Sequence, residues 1–262
     1  MEEPEKLLKK LSRPEKTHKG QNGRVGVIGG SEKYTGAPAI SAKSALRTGS
    51  DLVEIVTSEH VKNVVAGYSE NLIVNSYPSG NLGLSGVEPA IEVIQNLDVS
   101  VLGPGLGSPD EEAVRRIVGR AEKPLVIDAD AIEPAINSDF GDAIFTPHKS
   151  EAEIIEEKFG SIESFVDEKE ALVVVKGNKD KIYAPGMVYE NITGCSAMTV
   201  GGTGDMLTGV IASLISQDLN LKEAARLGCW INGKAGEKAF EKYGKGALAT
   251  DMVDEIAISM QE

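Results

Sequence analysis

Cysteine, histidine and aromatic side chains are scarce in this chain, and long apolar runs are missing. Two cysteines among 262 residues, Cys195 and Cys229, cannot build a disulfide framework or a cysteine-based zinc site. Three histidines add no metal-ligand spacing, so a reducing cytoplasm is the expected setting. No window approaches the ~18–20 apolar residues that span a bilayer. The opening Met-Glu-Glu-Pro-Glu-Lys lacks the apolar centre of a secretory leader. Basic charge is short as well: 27 Lys and Arg face 40 Asp and Glu, a net charge of −13. No basic block is present that could follow a phosphate backbone, so neither a nucleic acid nor a membrane is expected as partner.

What the chain does hold is 41% apolar residues and 29 glycines. That apolar share suits a well-buried core. Short β-rich runs at Val25 to Ile28, Leu52 to Thr57, Val101-Leu102, Leu125 to Asp128, Ala143 to Thr146 and Leu172 to Lys176 alternate with amphipathic stretches. Those stretches lie near Ala37 to Gly49, Val87 to Gln95, Glu111 to Ala121 and Lys149 to Phe159, and the last third reads as nearly all helix. The pattern predicts an α/β fold, a mostly parallel central sheet with helices on both faces. Two β-like runs within Lys179 to Asn191, around Pro185-Gly186, predict a small β-hairpin at the sheet edge. With no repeat, low-complexity tract or linker, a single domain over 1–262 is expected, with residues 1–17 frayed or in a short solvated helix.

Chemistry should gather beyond the carboxyl ends of the strands of such a sheet. There the sequence places Gly29-Gly30-Ser31, Gly103-Pro104-Gly105-Leu106-Gly107, Asp128-Ala129-Asp130, Thr146-Pro147-His148 with Glu151, and Lys176-Gly177. Each has a plainer reading as a turn, a helix cap or a solvated edge residue. The run Gly201-Gly202-Thr203-Gly204-Asp205, ahead of the apolar Met206 to Ile215, carries more. Backbone N–H groups at a helix start hold phosphate oxygens, glycines let the backbone approach them, and a carboxylate takes the proton of an attacking hydroxyl. The alternative there is a tight turn with Asp205 as an ordinary first-turn residue.

These motifs, with His18-Lys19-Gly20, Tyr34-Thr35-Gly36-Ala37-Pro38 and Asn191-x-Thr193-Gly194, together resemble the NAD(P)H-hydrate dehydratase family from about His18 to Asp251, in the family's order. The resemblance implies a ribokinase-like fold and an ADP-dependent lyase, with ATP possible as donor, that returns the S-hydrates of NADH and NADPH to the working cofactors and releases AMP and phosphate. It implies Asp205 as catalytic base and Ala37, Gly105 and His148 as contacts to the hydrate. Lys176, Gly177, Asn178, Lys179 and Asp180, with Gly202, Thr203 and Gly204, are implied to bind the nucleotide. Mg²⁺ is the expected ion, with Glu151 as its candidate ligand. A homotetramer and a separate epimerase chain are also implied, because no epimerase domain is expected within these residues.

Two positions depart from the family's pattern. Cys195 stands where an asparagine is usual, and Asn232-Gly233-x-x-Gly236 stands where a histidine usually leads the glycines. A vitamin-precursor alcohol kinase of the same fold is the alternative enzyme reading, since fold does not determine function. A nucleotide-binding sensor is a third, disfavoured by an intact Asp205 and Lys176.

Overall fold

The computed structural model describes residues 3–11, 13 and 15–261. Its strands are β1 (Arg24–Ile28), β2 (Leu52–Ser58), β3 (Ile73–Tyr77), β4 (Val99–Leu102), β5 (Leu125–Ile127), β6 (Ala143–Phe145), β7 (Leu172–Val175), β8 (Asp180–Ala184) and β9 (Met187–Asn191). They form one nine-stranded sheet in the order β3-β2-β1-β4-β5-β6-β7-β8-β9. Pairing is parallel from β3 through β7 and antiparallel across β7, β8 and β9.

Eleven α-helices are present among the described residues: α1 (Pro4–Leu8), α2 (Gly36–Thr48), α3 (Lys62–Ala66), α4 (Val87–Asn96), α5 (Glu111–Arg120), α6 (Ile132–Ala135), α7 (Lys149–Phe159), α8 (Ile162–Lys169), α9 (Thr203–Ser216), α10 (Leu221–Tyr243) and α11 (Ala249–Ser259). Alternation along the strands divides them between two faces. Val27, Val101, Val126 and Ile144 join α2, α9, α10 and α11 in one core, whereas Ile28, Leu102, Ile127 and Phe145 join α4 to α8 in the other. In the second core Phe140, Phe145, Phe159 and Phe165, four of the chain's five phenylalanines, pack as tilted or edge-on rings.

The predicted strands and hairpin are all present, and the differences are local. β3 is an added edge strand whose half-exposed Ile-Val-Asn-Ser-Tyr lacks an apolar run. β4 begins two residues before the Val101-Leu102 read from sequence, because Val99 and Ser100 stay in register with Val25 and Gly26. The short α3, α6 and α8 were not legible as periodic stretches. The leading segment is helical at Pro4–Leu8, but Leu7 is buried in the first core rather than solvated. Met1, Glu2, Ser12 and Pro14 of that segment, and Glu262, lie outside the described residues.

Candidate active site

The parallel sheet aligns the carboxyl ends of β1, β4, β5, β6 and β7 along one edge, and the loops after them carry the residues singled out above. α9 packs across β1, β4 and β5 and brings its N-terminus to the same edge. Its cap is Gly202, at φ +101°, where a Cβ would lie 2.8 Å from Ile40 Cδ1 and 2.9 Å from Ala249 Cβ. Only glycine fits that left-handed, crowded position. The chain thereby turns into α9 with the first N–H groups of the helix unpaired, a ready anion site.

Lys176, at the end of β7, reaches over this turn. A Cβ on Gly204 would sit 3.2 Å from Lys176 Nζ, so ammonium and helix start are in contact. Lys176 Nζ donates to Asp128 Oδ1 at 2.6 Å, and Thr146 Oγ1 donates to the same oxygen at 2.8 Å. With Asp128 buried and Lys176 19% exposed on its side chain, this ion pair is shielded from solvent. Burial works against the Lys176 charge, but Asp128, Glu151 and Asp205 hold the ammonium above its ordinary pKa. Asp128 and Thr146 stand in strand-end motifs of the sequence that by themselves indicate no role in the site. Their role depends on β5, β6 and β7 being neighbours, which motif spacing does not reveal.

Asp205, in the first turn of α9, is half-buried. Burial first and the Asp128 charge second raise its pKa to about 7, while Lys176 pulls the other way. A carboxylate so placed exchanges a proton near neutral pH, as a general base requires. Glu151, which faces Lys176 and Asp128, is also raised, chiefly by burial.

A cavity of about 400 Å³ opens beside this cluster, lined among others by Lys176, Gly177, Asp180, Thr203, Gly204 and Leu207. Asn178 lines it too, so four of the five residues from Lys176 to Asp180 face it together. Lys179 is not among its lining residues; its ammonium pairs with Glu190 across the hairpin at 2.5 Å. Asp180 instead orders the loop, accepting from Gly177 N and Asn191 Nδ2, each at 3.2 Å. The far wall is the segment Thr193 to Thr199, tied down by Asn191 and by Gly194 N–H donating to Glu237 Oε1 at 2.9 Å. Glu237, which also pairs with Lys234, was not legible as a site residue, because it reaches the loop from α10 through a backbone contact.

Of the residues read as hydrate contacts, Ala37 and Gly105 lie side by side: a Cβ on Gly105 would be 3.0 Å from Ala37 Cβ and 2.9 Å from Tyr34. His148 stands exposed at the end of β6 as the cap of α7. Its Nδ1 accepts from Glu151 N at 3.2 Å, and Glu151 Oε2 accepts from His148 N at 2.7 Å. A second cavity, about 290 Å³, is walled by Gly107, Asp130, Glu133 and Glu151. Asp130 accepts from Gly107 N at 2.8 Å and is raised by burial, then by Asp128. Among the described residues no group of three or more His, Cys, Asp or Glu could by itself hold a metal ion.

A doubly covered parallel sheet, an anion-binding helix start and a carboxylate beside a buried lysine define an α/β phosphoryl-transfer protein of the ribokinase-like class. The chain belongs to the NAD(P)H-hydrate dehydratase family, whose model matches residues 25–257. It is 41% identical over 235 residues to an ADP-dependent (S)-NAD(P)H-hydrate dehydratase of Haloterrigena turkmenica, covering 90% of this chain and 91% of that protein. A ribokinase-like superfamily protein of Enterococcus faecalis superposes with TM-score 0.84 at 22% identity, over 98% of this chain and 94% of its own. The ADP/ATP-dependent NAD(P)H-hydrate dehydratase of Bacillus subtilis, co-crystallised with ATP and Mg²⁺, gives TM-score 0.81 at 24% identity, covering 99% and 96%. These two structures share the fold described above.

Proposed function

We propose that this protein is an ADP-dependent dehydratase of the S-epimers of NADH and NADPH hydrate. The observation that carries the reading is Asp205 at the glycine-lined start of α9, poised near pH 7 beside Lys176, in a chain 41% identical to an enzyme of that name. An alcohol kinase shares the fold, the glycine turn and the base, and no observation here favours it.

The chemistry follows from the arrangement. Hydroxide is a poor leaving group, so the ring hydroxyl must first be converted into a better one. Asp205 takes the hydroxyl proton as its oxygen bonds to the β-phosphorus of ADP, and the bond to the bridging oxygen breaks to release AMP. The N–H groups of the Gly202 to Gly204 turn and the Lys176 ammonium balance the charge that develops on the transferring group. The ring nitrogen lone pair then expels phosphate, and loss of a proton from the neighbouring carbon restores the ring double bond. The sum is hydrate and ADP to reduced cofactor, AMP, phosphate and a proton. Gly177, Asn178, Asp180 and Thr203 line the nucleotide space in this reading, with Lys179 at its outer edge. Ala37, Gly105 and His148 contact the hydrate.

Asp128, Asp205 and Glu151 gather three carboxylates around one ammonium, an excess of negative charge that suits a cation. The absence of a full protein cage among the described residues fits Mg²⁺, which keeps waters and shares phosphate oxygens. Glu151 is the proposed ligand. When bound, Mg²⁺ supplies neutralisation of charge across the transferring phosphates.

A dehydratase confined to the S-epimer leaves the R-epimer untouched, so we pair this protein with an epimerase activity. We place it in the cytoplasm, consistent with two free cysteines, as a homotetramer. The exposed Met187, Val188 and Ile192 of the outer hairpin are apolar surface suited to such contacts. Incubation of purified protein with S-NADH hydrate, Mg²⁺ and ADP should yield NADH and AMP in equal amounts. Intact hydrate with either ADP or ATP would overturn the reading. The solution mass tests the tetramer.

A further inference from the structure

The departure at Asn232 has a structural counterpart. Gly233 and Gly236 leave a groove on α10 into which the segment from Thr193 to Met198 settles. A Cβ on Gly233 would lie 2.2 Å from Thr193 Oγ1, and one on Gly236 would lie 2.3 Å from Met198 Sδ. The loop therefore rests on bare backbone, and Asn232, the residue before the groove, faces the cavity that the loop closes. Asn232 is 5% exposed, and its Oδ1 is buried with no hydrogen-bond partner. The neighbouring buried amide of Asn191, by contrast, bonds through both its nitrogen and its oxygen. Leaving an amide oxygen unpaired in the interior is costly unless something supplies a donor.

The surroundings identify the donor. Lys176, Thr203 and Gly204 line the same cavity and form its phosphate-binding end, whereas Asn232, Thr193, Gly194, Cys195 and Met198 line it without any cationic side chain. That composition suits the uncharged part of a nucleotide. We infer that the Asn232 carboxamide, which lines the nucleotide cavity, is a specificity-determining group there, turning its Oδ1 toward the ligand to accept a hydrogen bond from a donor on the nucleoside of ADP, either the adenine 6-amino group or a ribose hydroxyl. The inference rests on the nucleotide-dependent reading of the site. A site built around an acceptor rejects an analogue that lacks the matching donor, because the buried oxygen is then stranded.

The test is binding of ADP, inosine diphosphate, 2′-deoxy-ADP and 3′-deoxy-ADP to the full chain and to Asn232→Leu, by calorimetry with Mg²⁺. Inosine diphosphate carries oxygen in place of the 6-amino group, and each deoxy analogue lacks one hydroxyl, so the arms separate the two sources. In the unaltered protein one analogue should bind about tenfold more weakly than ADP. In Asn232→Leu, ADP should fall to that analogue's affinity while the analogue itself is unaffected. Asn232→Leu should also melt no lower than the parent without ligand, since an unpaired polar atom has been removed. Wild-type ADP affinity in Asn232→Leu, or an equal loss for all four nucleotides, would overturn the assignment and leave the proposed function standing. Failure of the unaltered protein to bind ADP would overturn both.

Discussion

Asp205 is useful because its surroundings oppose its charge. Burial and Asp128 raise its pKa to about 7, and Lys176 only partly offsets them. For the free enzyme, kcat/KM should therefore rise with pH through about 7 and level off above it, because the base must be ionised to accept a proton. A rate independent of pH from 6 to 8 would count against Asp205 as the base. The same shift has a stability consequence. A carboxyl that titrates near 4 when unfolded and near 7 when folded imposes no cost below about pH 4 and its full cost above about pH 7. Asp205→Asn should thus stabilise the fold by about 1–3 kcal/mol at pH 8, less at pH 5.5, while abolishing turnover. Lys176→Met should lose at least about a hundredfold in kcat/KM and leave Asp128 buried without its cation. Combined with Asp128→Asn, its thermal stability should recover, but its activity should not.

At the scale of elements, the site depends on how closely α9 approaches α2. A Cβ on Gly209 would lie 2.0 Å from Ser41 O and 3.0 Å from Ser44 Cβ. Gly209→Ala must push the two helices apart, and by the usual cost of overpacking it should destabilise by about 1–3 kcal/mol or more in a thermal melt. Gly202→Ala meets both an unfavourable φ and the contacts with Ile40 and Ala249. It should lower stability and, by shifting the start of α9, reduce activity further than the loss of stability alone explains. Equal effects on the two measures would contradict the role given to the turn. Elements with strong period or composition were legible in the chain itself. α7 has the predicted bounds because His148 and Glu151 form a capping box and Gly160 follows its end. β3 was not legible, since an edge strand owes its pairing to β2 rather than to its own apolar content.

The whole molecule places on one sheet edge residues that lie far apart in the chain. The glycine turns, with Asp205 as their candidate base, were legible as a local pattern, and Lys176 as a candidate through the family resemblance. The Thr146–Asp128–Lys176 hydrogen bonds, the anchoring of Gly194 by Glu237 and the stranded oxygen of Asn232 were not, because they arise where strands or helices meet. If the cavity between the Lys176 and Thr193 loops is the nucleotide site, ADP at a hundred times its Kd should stabilise the protein by about 2.7 kcal/mol through mass action alone. The proposed role of Asp205 is to drive nucleotide-dependent removal of water from a hydrated nicotinamide ring. Its most direct measurement is the near-ultraviolet absorbance of reduced nicotinamide during incubation of S-NADH hydrate with Mg²⁺ and ADP, run in parallel on the unaltered protein and on folded Asp205→Asn. The expected outcome is a rise that requires ADP, matches the AMP released and is absent in the variant. A rise without nucleotide, or one that survives in Asp205→Asn, would contradict it.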